Sequence, residues 1–128
     1  MLNGSSYSSG NTITLAANSA PASQAIYQSG RYVSSGSLNF AVPVANGSYT
    51  LRLHFADTSK TAAGQRRFDV QAEGVTILDN YDVFQRAGGR NRAIVEEATV
   101  TVSDGTLNLN LLKDIDDSMI SGIEIIGN

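Results

Sequence analysis

The strongest periodic stretch in the chain is Tyr49-Thr50-Leu51-Arg52-Leu53-His54-Phe55. Apolar and polar side chains alternate along it, and a period of two is typical of a β-strand with one face against a core. The alternation predicts that Tyr49, Leu51, Leu53 and Phe55 lie on one face, toward the core. The polar residues between them are then expected on the opposite face.

Shorter stretches of the same alternation flank this strand on both sides. They are residues 38–42, 68–72, 75–78, 99–102, 107–111 and 120–126. We expect hairpins at Asn46-Gly47, Glu73-Gly74 and Asp104-Gly105, because glycine tolerates the positive φ angles of tight turns. About eight strands joined by short turns indicate two sheets that each bury one face. The sequence therefore predicts an all-β fold, an antiparallel β-sandwich or jelly roll.

The first third of the chain carries much weaker patterning. Residues 2–37 are rich in Ser, Gly, Asn and Ala, and the stretch 12–15 is the only clear strand candidate before Ile26. No segment shows a sustained helical period, and no interior linker or repeat divides the chain. We expect one domain over residues 1–128.

Composition and charge indicate which classes of binding partner this chain lacks the surface for. Charged residues make up 16% of the chain, and the nine Lys and Arg are scattered in a chain of net charge −3. A nucleic-acid surface needs a basic stripe, and a membrane span needs about 18 or more consecutive apolar residues. Neither is present, so we predict no nucleic-acid partner and no membrane partner.

The absence of cysteine excludes disulfides and thiolate chemistry. Secreted bacterial proteins often lack cysteine, which favours an exported bacterial protein. The first 20 residues lack the charged start and apolar middle of a signal peptide. We expect an extracellular or cell-surface location with the export signal outside this sequence, and a monomer.

The inventory of reactive side chains argues against catalysis. His54 is the only histidine, and no Gly-x-Ser-x-Gly turn exposes a serine. We predict no enzyme, and for His54 a solvated or cross-strand position on the outer face. Two alternatives stay open. In the first, His54 contacts a ligand. In the second, a pair of acids hydrolyses glycosides, such as Asp57 with one of the three aspartates 114, 116 and 117.

Three acids precede the last predicted strand. Asp114, Asp116 and Asp117 resemble a fragment of a calcium loop but lack its glycine and distal glutamate. We predict no cofactor and leave a structural calcium ion as the open alternative. The glycines of Ala87-Gly88-Gly89-Arg90 are expected to form a tight turn, because no phosphate-binding motif follows them.

Four ordered blocks of sequence carry a resemblance to a known family. They are Ile26-Tyr27-Gln28-Ser29-Gly30-Arg31-Tyr32, residues 46–57 from Asn46 to Asp57, Gly64-Gln65-Arg66-Arg67-Phe68-Asp69-Val70, and Ser121-Gly122-Ile123-Glu124-Ile125. Their order and spacing resemble the malectin and malectin-like carbohydrate-binding domains. The resemblance implies a galactose-binding-domain-like sandwich whose loops at one end hold a sugar. It also implies a non-catalytic module that binds an oligo- or polysaccharide such as a glucan, within a larger exported glycoside hydrolase or surface protein.

The resemblance transfers two site residues directly. Tyr32 matches a family tyrosine that contacts the sugar, and Asp116 matches the acidic ligand residue before the last strand. A tyrosine ring offers an apolar platform with a polar edge, and a carboxylate accepts hydroxyl hydrogen bonds. The neighbours expected around them are Arg31, Asp57, Ser59, Lys60 and Asp117.

The main departure from the family concerns the loop after Asp57. Malectin presents two adjacent aromatic rings there, whereas this chain has Ser59 and Lys60. An aromatic platform is therefore missing from the predicted site, and Lys60 raises the alternative of an acidic sugar. The competing hypothesis is a structural or adhesion module that has lost sugar binding. Tyr27, beside Ile26, is predicted to lie in the core.

Overall fold

Within residues 3–15 and 24–128, which the computed structural model describes, the chain forms ten strands and two short helices. The strands are β1 (Ser5–Ser8), β2 (Ser29–Val33), β3 (Ser37–Pro43), β4 (Gly47–Ala56), β5 (Arg67–Ala72), β6 (Val75–Tyr81), β7 (Ala93–Val102), β8 (Thr106–Ile115), β9 (Ser118–Ile120) and β10 (Gly122–Gly127). The helices are α1 (Gln24–Tyr27) and α2 (Val83–Ala87). The all-β prediction is confirmed.

The described strands form three sheets with antiparallel pairing. Their orders are β10-β4-β7, β3-β8-β5-β6 and β1-β2-β9. The first two bury their inner faces in one common core, and β9 of the small third sheet contacts β4, β8 and β3. The result is the antiparallel β-sandwich that the alternation predicted.

The core follows the predicted alternation along β4. Leu51, Leu53 and Phe55 are at most 1% exposed, and β8 supplies the similarly buried Leu107, Leu109 and Leu111. Each such side chain stabilises the fold by roughly 1.5–3 kcal/mol relative to an exposed position. The predicted inward face of residues 49–55 is therefore confirmed for its apolar members.

Of the three expected hairpins, the one at Glu73-Gly74 is confirmed. Strands β5 and β6 pair across it, and both turn residues have positive φ, 51° for Glu73 and 78° for Gly74. Two positive φ angles match the twist of a two-residue hairpin.

The prediction of hairpins at Asn46-Gly47 and Asp104-Gly105 is wrong. Strand β3 pairs with β8 and β4 pairs with β7, so both connections pass from one sheet to the other. They lie side by side: the Gly105 N–H donates to Asn46 Oδ1 at 2.8 Å, and the Val44 N–H donates to the Gly105 carbonyl at 3.1 Å. Alternating sequence does not separate the two cases, because paired strands and strands facing each other across a core show the same pattern.

The N-terminal prediction also needs correction. The stretch 12–15 forms only one isolated bridge, between Thr14 and Arg92, and is not a strand. The first strand is instead β1, whose sequence Ser-Ser-Tyr-Ser has no apolar alternation. It forms because it pairs with β2 and continues the small sheet.

Two helices appear where none was expected, and both are too short to show a helical period. Helix α2 is capped by Asp82, whose side chain accepts from the Gln85 N–H. It ends at Gly88, which has φ 85° and donates its N–H to the Phe84 carbonyl. The predicted turn at Gly88-Gly89 is thus confirmed as a helix C-cap. Among the described residues, no helix has the length and apolar character needed to cross a membrane.

Candidate functional site

One cleft lies where the small sheet meets the loop after β4 and the segment that precedes β9. Its volume is about 350 Å³. We call it the Tyr32 cleft, and its lining residues are Tyr7, Ser8, Tyr32, Asp57, Thr58, Ser59, Arg66, Asp117 and Met119.

The small sheet provides the aromatic side of the cleft. Strand β2 lies between β1 and β9, and Tyr32 is in register with Ser5 on one side and Met119 on the other. This register places Tyr7 of β1 next to Tyr32. Their ring centroids are 6.2 Å apart with an interplanar angle of 61°, an edge-to-face arrangement that aromatic pairs prefer.

Asp57 organises the loop on the other side of the cleft. Its side chain is buried, and Oδ1 accepts hydrogen bonds from the backbone N–H groups of Ser59 and Lys60 at 3.1 and 2.9 Å. Its Oδ2 accepts from Arg66 Nε at 2.9 Å. Because the carboxylate is bound to its own loop and to a cation, Asp57 shapes the cleft rather than offering a free acceptor.

Arg66 ties together the two loops that flank the cleft. Its guanidinium donates from NH2 to Ser59 Oγ at 3.1 Å and from NH1 to the Asp117 carbonyl at 2.9 Å, in addition to its bond with Asp57. The residue is only 9% exposed and lines the cleft. A guanidinium has five N–H groups, so two of them have no partner within residues 3–15 and 24–128.

The two adjacent acids before β9 have different surroundings. Asp116 has φ 57° and forms an ion pair with Lys60, whose hydrogen bond holds the pKa of Asp116 below its usual range. Asp117 lines the cleft, and its carboxylate has no hydrogen-bond or ion-pair partner in the described part of the chain. Among the described residues, the carboxylate of Asp117 is therefore free to accept a hydrogen bond, whereas that of Asp116 is occupied.

The structure brings together four of the seven predicted site residues. Those that line the cleft are Tyr32, Asp57, Ser59 and Asp117. Lys60 and Asp116 pair with each other beside it. The structure does not bring Arg31 to the cleft, because Arg31 points to the other face of β2 and donates to the backbone carbonyls of Asn3 and Gly4. Alternation along β2 is the reason: adjacent residues of a strand face opposite ways.

Sequence reasoning missed Tyr7 and Arg66 as cleft residues. For Arg66 a signal was available, because a period of two puts it on the same face as Phe68 and Val70. Tyr7 had no comparable signal, since the serine-rich sequence of β1 has no apolar alternation.

The calcium alternative finds no support. Asp114 pairs with Arg67 Nε at 2.6 Å and Asp116 pairs with Lys60. Within the described residues, no group of three or more His, Asp or Glu side chains is arranged to hold a metal ion.

His54 lies outside the Tyr32 cleft and is 2% exposed, so the prediction of a solvated side chain is wrong. Nδ1 is 2.8 Å from the Tyr27 hydroxyl, and Nε2 is 2.7 Å from Glu124 Oε1 on the neighbouring strand β10. The predicted cross-strand contact is therefore confirmed. Helix α1 covers this face of β4 and carries the fully buried Tyr27, which confirms the core position predicted for that tyrosine.

A comparison with protein families settles what kind of domain this is. A family model for the malectin domain matches residues 3–127. The chain belongs to the malectin domain family. The match extends over nearly the whole chain, so the resemblance inferred from four short blocks is confirmed.

Relatives of this malectin domain come from plants and animals. Receptor-like protein 4 of Arabidopsis thaliana is 46% identical over 68 residues, which are 52% of this chain and 11% of the plant protein. Malectin-A of Xenopus laevis is 32% identical over 90 residues, which are 70% of this chain and 32% of the frog protein. The malectin domain thus spans a small part of its plant relatives. These relatives give no support to the expected bacterial source.

Solved structures share the fold at low sequence identity. The extracellular domain of ANXUR1 from Arabidopsis thaliana matches with a TM-score of 0.84 and 19% identity, over 97% of this chain and 38% of that chain. A β-glucuronidase from Bacteroides uniformis matches with a TM-score of 0.78 and 15% identity, over 98% of this chain and 14% of that chain. At such identities the likeness concerns the fold alone.

Proposed function

We propose that this malectin domain binds a neutral oligo- or polysaccharide in the Tyr32 cleft and performs no chemistry on it. One observation carries the proposal. Tyr32, Asp117 and Arg66 line the same cleft of about 350 Å³, and among the described residues the Asp117 carboxylate and two N–H groups of Arg66 have no hydrogen-bond partner.

These three groups match the surface of a sugar. A pyranose has apolar CH faces that pack on an aromatic ring, and hydroxyl groups that both donate and accept hydrogen bonds. Asp117 accepts from hydroxyls and Arg66 donates to them, with charge-assisted strength in both cases. Lys60 is paired with Asp116, so the alternative of an acidic sugar drawn by Lys60 loses its support.

The same contacts argue against glycoside hydrolysis. That reaction needs two carboxyl groups across the sugar, one of them a general acid with a raised pKa. Asp57 is bound to Arg66, and the pKa of Asp116 is lowered by Lys60, which is opposite to what a general acid requires. Asp117 is left without a second acid free to act with it.

Binding is tested with residues 1–128 on a glycan array, followed by calorimetry with α- and β-linked glucose disaccharides and the strongest array glycan. We expect Tyr32→Ala and Asp117→Asn to lower affinity about tenfold or more, since a hydrogen bond to a charged group contributes about 1.5–3 kcal/mol. Asp79→Asn, an exposed acid on β6 that does not line the cleft, is the matched control and should bind like the wild type. Equal binding by Asp117→Asn and Asp79→Asn would contradict the proposal.

The second candidate is a structural or adhesion module without a sugar site. The observation that favours it is the loop after Asp57, where Ser59 and Lys60 replace aromatic residues and both side chains make contacts within the protein. A wild-type domain that binds no glycan on the array and no insoluble polysaccharide in a pull-down would favour this candidate.

We further propose that the domain acts as one module of a longer exported protein, either a receptor ectodomain or a carbohydrate-active enzyme. Its small share of the plant relatives and of the Bacteroides uniformis enzyme supports this context. An extracellular position and a monomeric module are part of the proposal. Secretion of a tagged full-length gene product into the culture medium or onto the cell surface tests it.

A further inference from the structure

Resting on the proposed function, we infer that Tyr7 of β1 supplies the aromatic platform that the loop after Asp57 lacks. The saccharide would pack against the Tyr7 and Tyr32 rings on one side of the cleft, while Asp117 and Arg66 bind its hydroxyls on the other. Strand β1 lies outside the four sequence blocks that carry the resemblance, so those blocks do not point to Tyr7.

The Tyr7 ring packs against a glycine of the neighbouring strand. Tyr7 is in register with Gly30 of β2, and a Cβ atom built at Gly30 would lie 2.7 Å from the Tyr7 hydroxyl oxygen and 2.8 Å from Cε1. Those distances are too short for a real side chain. The absence of a side chain at Gly30 therefore leaves room for the Tyr7 ring beside β2.

Two further neighbours fix the ring. The Tyr7 hydroxyl is 3.4 Å from Ser121 Oγ, and the ring meets Tyr32 edge to face at 6.2 Å. A ring held on three sides loses little conformational entropy when a sugar packs on it, which favours binding. Burial raises the pKa of the Tyr7 phenol, so the hydroxyl stays protonated at neutral pH.

The position of Tyr7 explains why the replaced loop residues need not abolish binding. Ser59 and Lys60 contribute hydrogen bonds and an ion pair to the loop, but no ring. Tyr7 and Tyr32 are half-buried and both line the cleft. In the proposed site, the aromatic surface therefore lies on the strands of the small sheet and not in the loop.

Three variants test the platform by calorimetry with the same glucose disaccharides and array glycan. Tyr7→Leu removes the ring, and we expect affinity to fall about tenfold, as for the loss of an aromatic contact. Tyr7→Phe keeps the ring and should stay within about threefold of the wild type. Tyr49→Leu, a half-buried tyrosine on β4 outside the cleft, is the matched control and should bind normally.

The outcomes separate the platform from the binding function. If the wild type binds and Asp117→Asn does not, while Tyr7→Leu binds like the wild type, the platform is wrong and the proposed function stands. If the wild type binds no glycan, both are wrong. Should Tyr7→Leu fail to fold, the inference is tested instead by NMR of the wild type, with ¹³C-labelled tyrosine rings. The Tyr7 signals, assigned with Tyr7→Phe, must shift on adding saccharide, and unchanged Tyr7 signals would overturn the inference.

Discussion

At the scale of single residues, His54 joins helix α1 to strand β10 through its two ring nitrogens. Because a carboxylate oxygen accepts, the Nε2–H of His54 donates to Glu124 Oε1, and Nδ1 forms a hydrogen bond with the Tyr27 hydroxyl. Glu124 also accepts from Arg52 Nε at 3.1 Å, and the hydrogen bond from His54 holds the pKa of Glu124 below its usual range. The two ring nitrogens of the only histidine in the chain are thus both engaged within the protein.

Replacing His54 by alanine should lower the free energy of unfolding by about 2–3 kcal/mol, because the change removes a packed ring and its buried hydrogen bonds. Urea denaturation followed by circular dichroism measures the change. Thr101→Ala, on an exposed site of β7, is the control and should stay within about 0.5 kcal/mol of the wild type. Equal stability of the two variants would contradict a structural role for His54.

The ion pair of Lys60 and Asp116 should give a small, pH-dependent stabilisation. The folded-state pKa of Asp116 lies below its unfolded value, so the carboxylate favours folding above about pH 4 and loses this effect as the pH falls through the folded pKa. Because the pair is partly exposed, Lys60→Ala should cost less than about 1 kcal/mol at pH 7. The difference from the wild type should shrink as the pH falls through the folded-state pKa of Asp116. A difference that keeps the same size from pH 7 into the acid range would argue against the pair.

Residue-level prediction from sequence succeeded where a motif or a period carried the information. The family resemblance predicts Tyr32 and Asp116 as site residues; Tyr32 lines the cleft, whereas Asp116 is replaced there by its neighbour Asp117. The difference between Asp116 and Asp117 was not visible, since it depends on the left-handed φ of Asp116 and on where Lys60 lies. Tyr7 depends on a glycine 23 positions away in sequence that leaves room for its ring, and no local pattern records that contact.

At the scale of elements, the connections 44–46 and 103–105 hold the two main sheets together at one rim. Gly105 has φ 75° there and bonds to both Val44 and Asn46. Its neighbour Asp104 has no positive φ, so the pair lacks the two left-handed residues of a tight hairpin turn. The Asp-Gly signal correctly marked a turn, but only tertiary pairing decided which sheet the next strand joined.

Gly105→Ala should destabilise the domain by about 1–2 kcal/mol, because a Cβ atom disfavours the left-handed conformation. Gly10→Ala is the matched control. Gly10 has no left-handed φ and no atom within 4 Å of an added Cβ. The control should be neutral or slightly stabilising, by up to about 1 kcal/mol. Thermal unfolding of both variants measures the contrast, and a neutral Gly105→Ala would argue against this conformation.

At the scale of the whole molecule, the small sheet forms one side of the Tyr32 cleft. Its strand β9 contacts both main sheets, and its strands β1 and β2 provide the two tyrosines. The sandwich itself followed from period-two alternation. The small sheet did not, because short serine-rich strands are stabilised by their pairing rather than by their own composition.

Residues 1–128 should unfold as one cooperative unit, since the main core joins buried residues of eight strands from all three sheets. The chain has five tyrosines and no tryptophan, so tyrosine fluorescence and circular dichroism give independent probes. The two denaturation curves should coincide. Separate midpoints would show that the small sheet unfolds independently, against the single-domain prediction.

The central claim is that a saccharide binds in the Tyr32 cleft, and amide chemical-shift mapping by NMR tests it most directly. Titration with glucose disaccharides and the strongest array glycan should shift signals around Tyr7, Tyr32, Ser59 and Asp117, and leave those around Gly105 unchanged. Shifts confined to the region of Gly105, or no shifts with any glycan, would contradict the account.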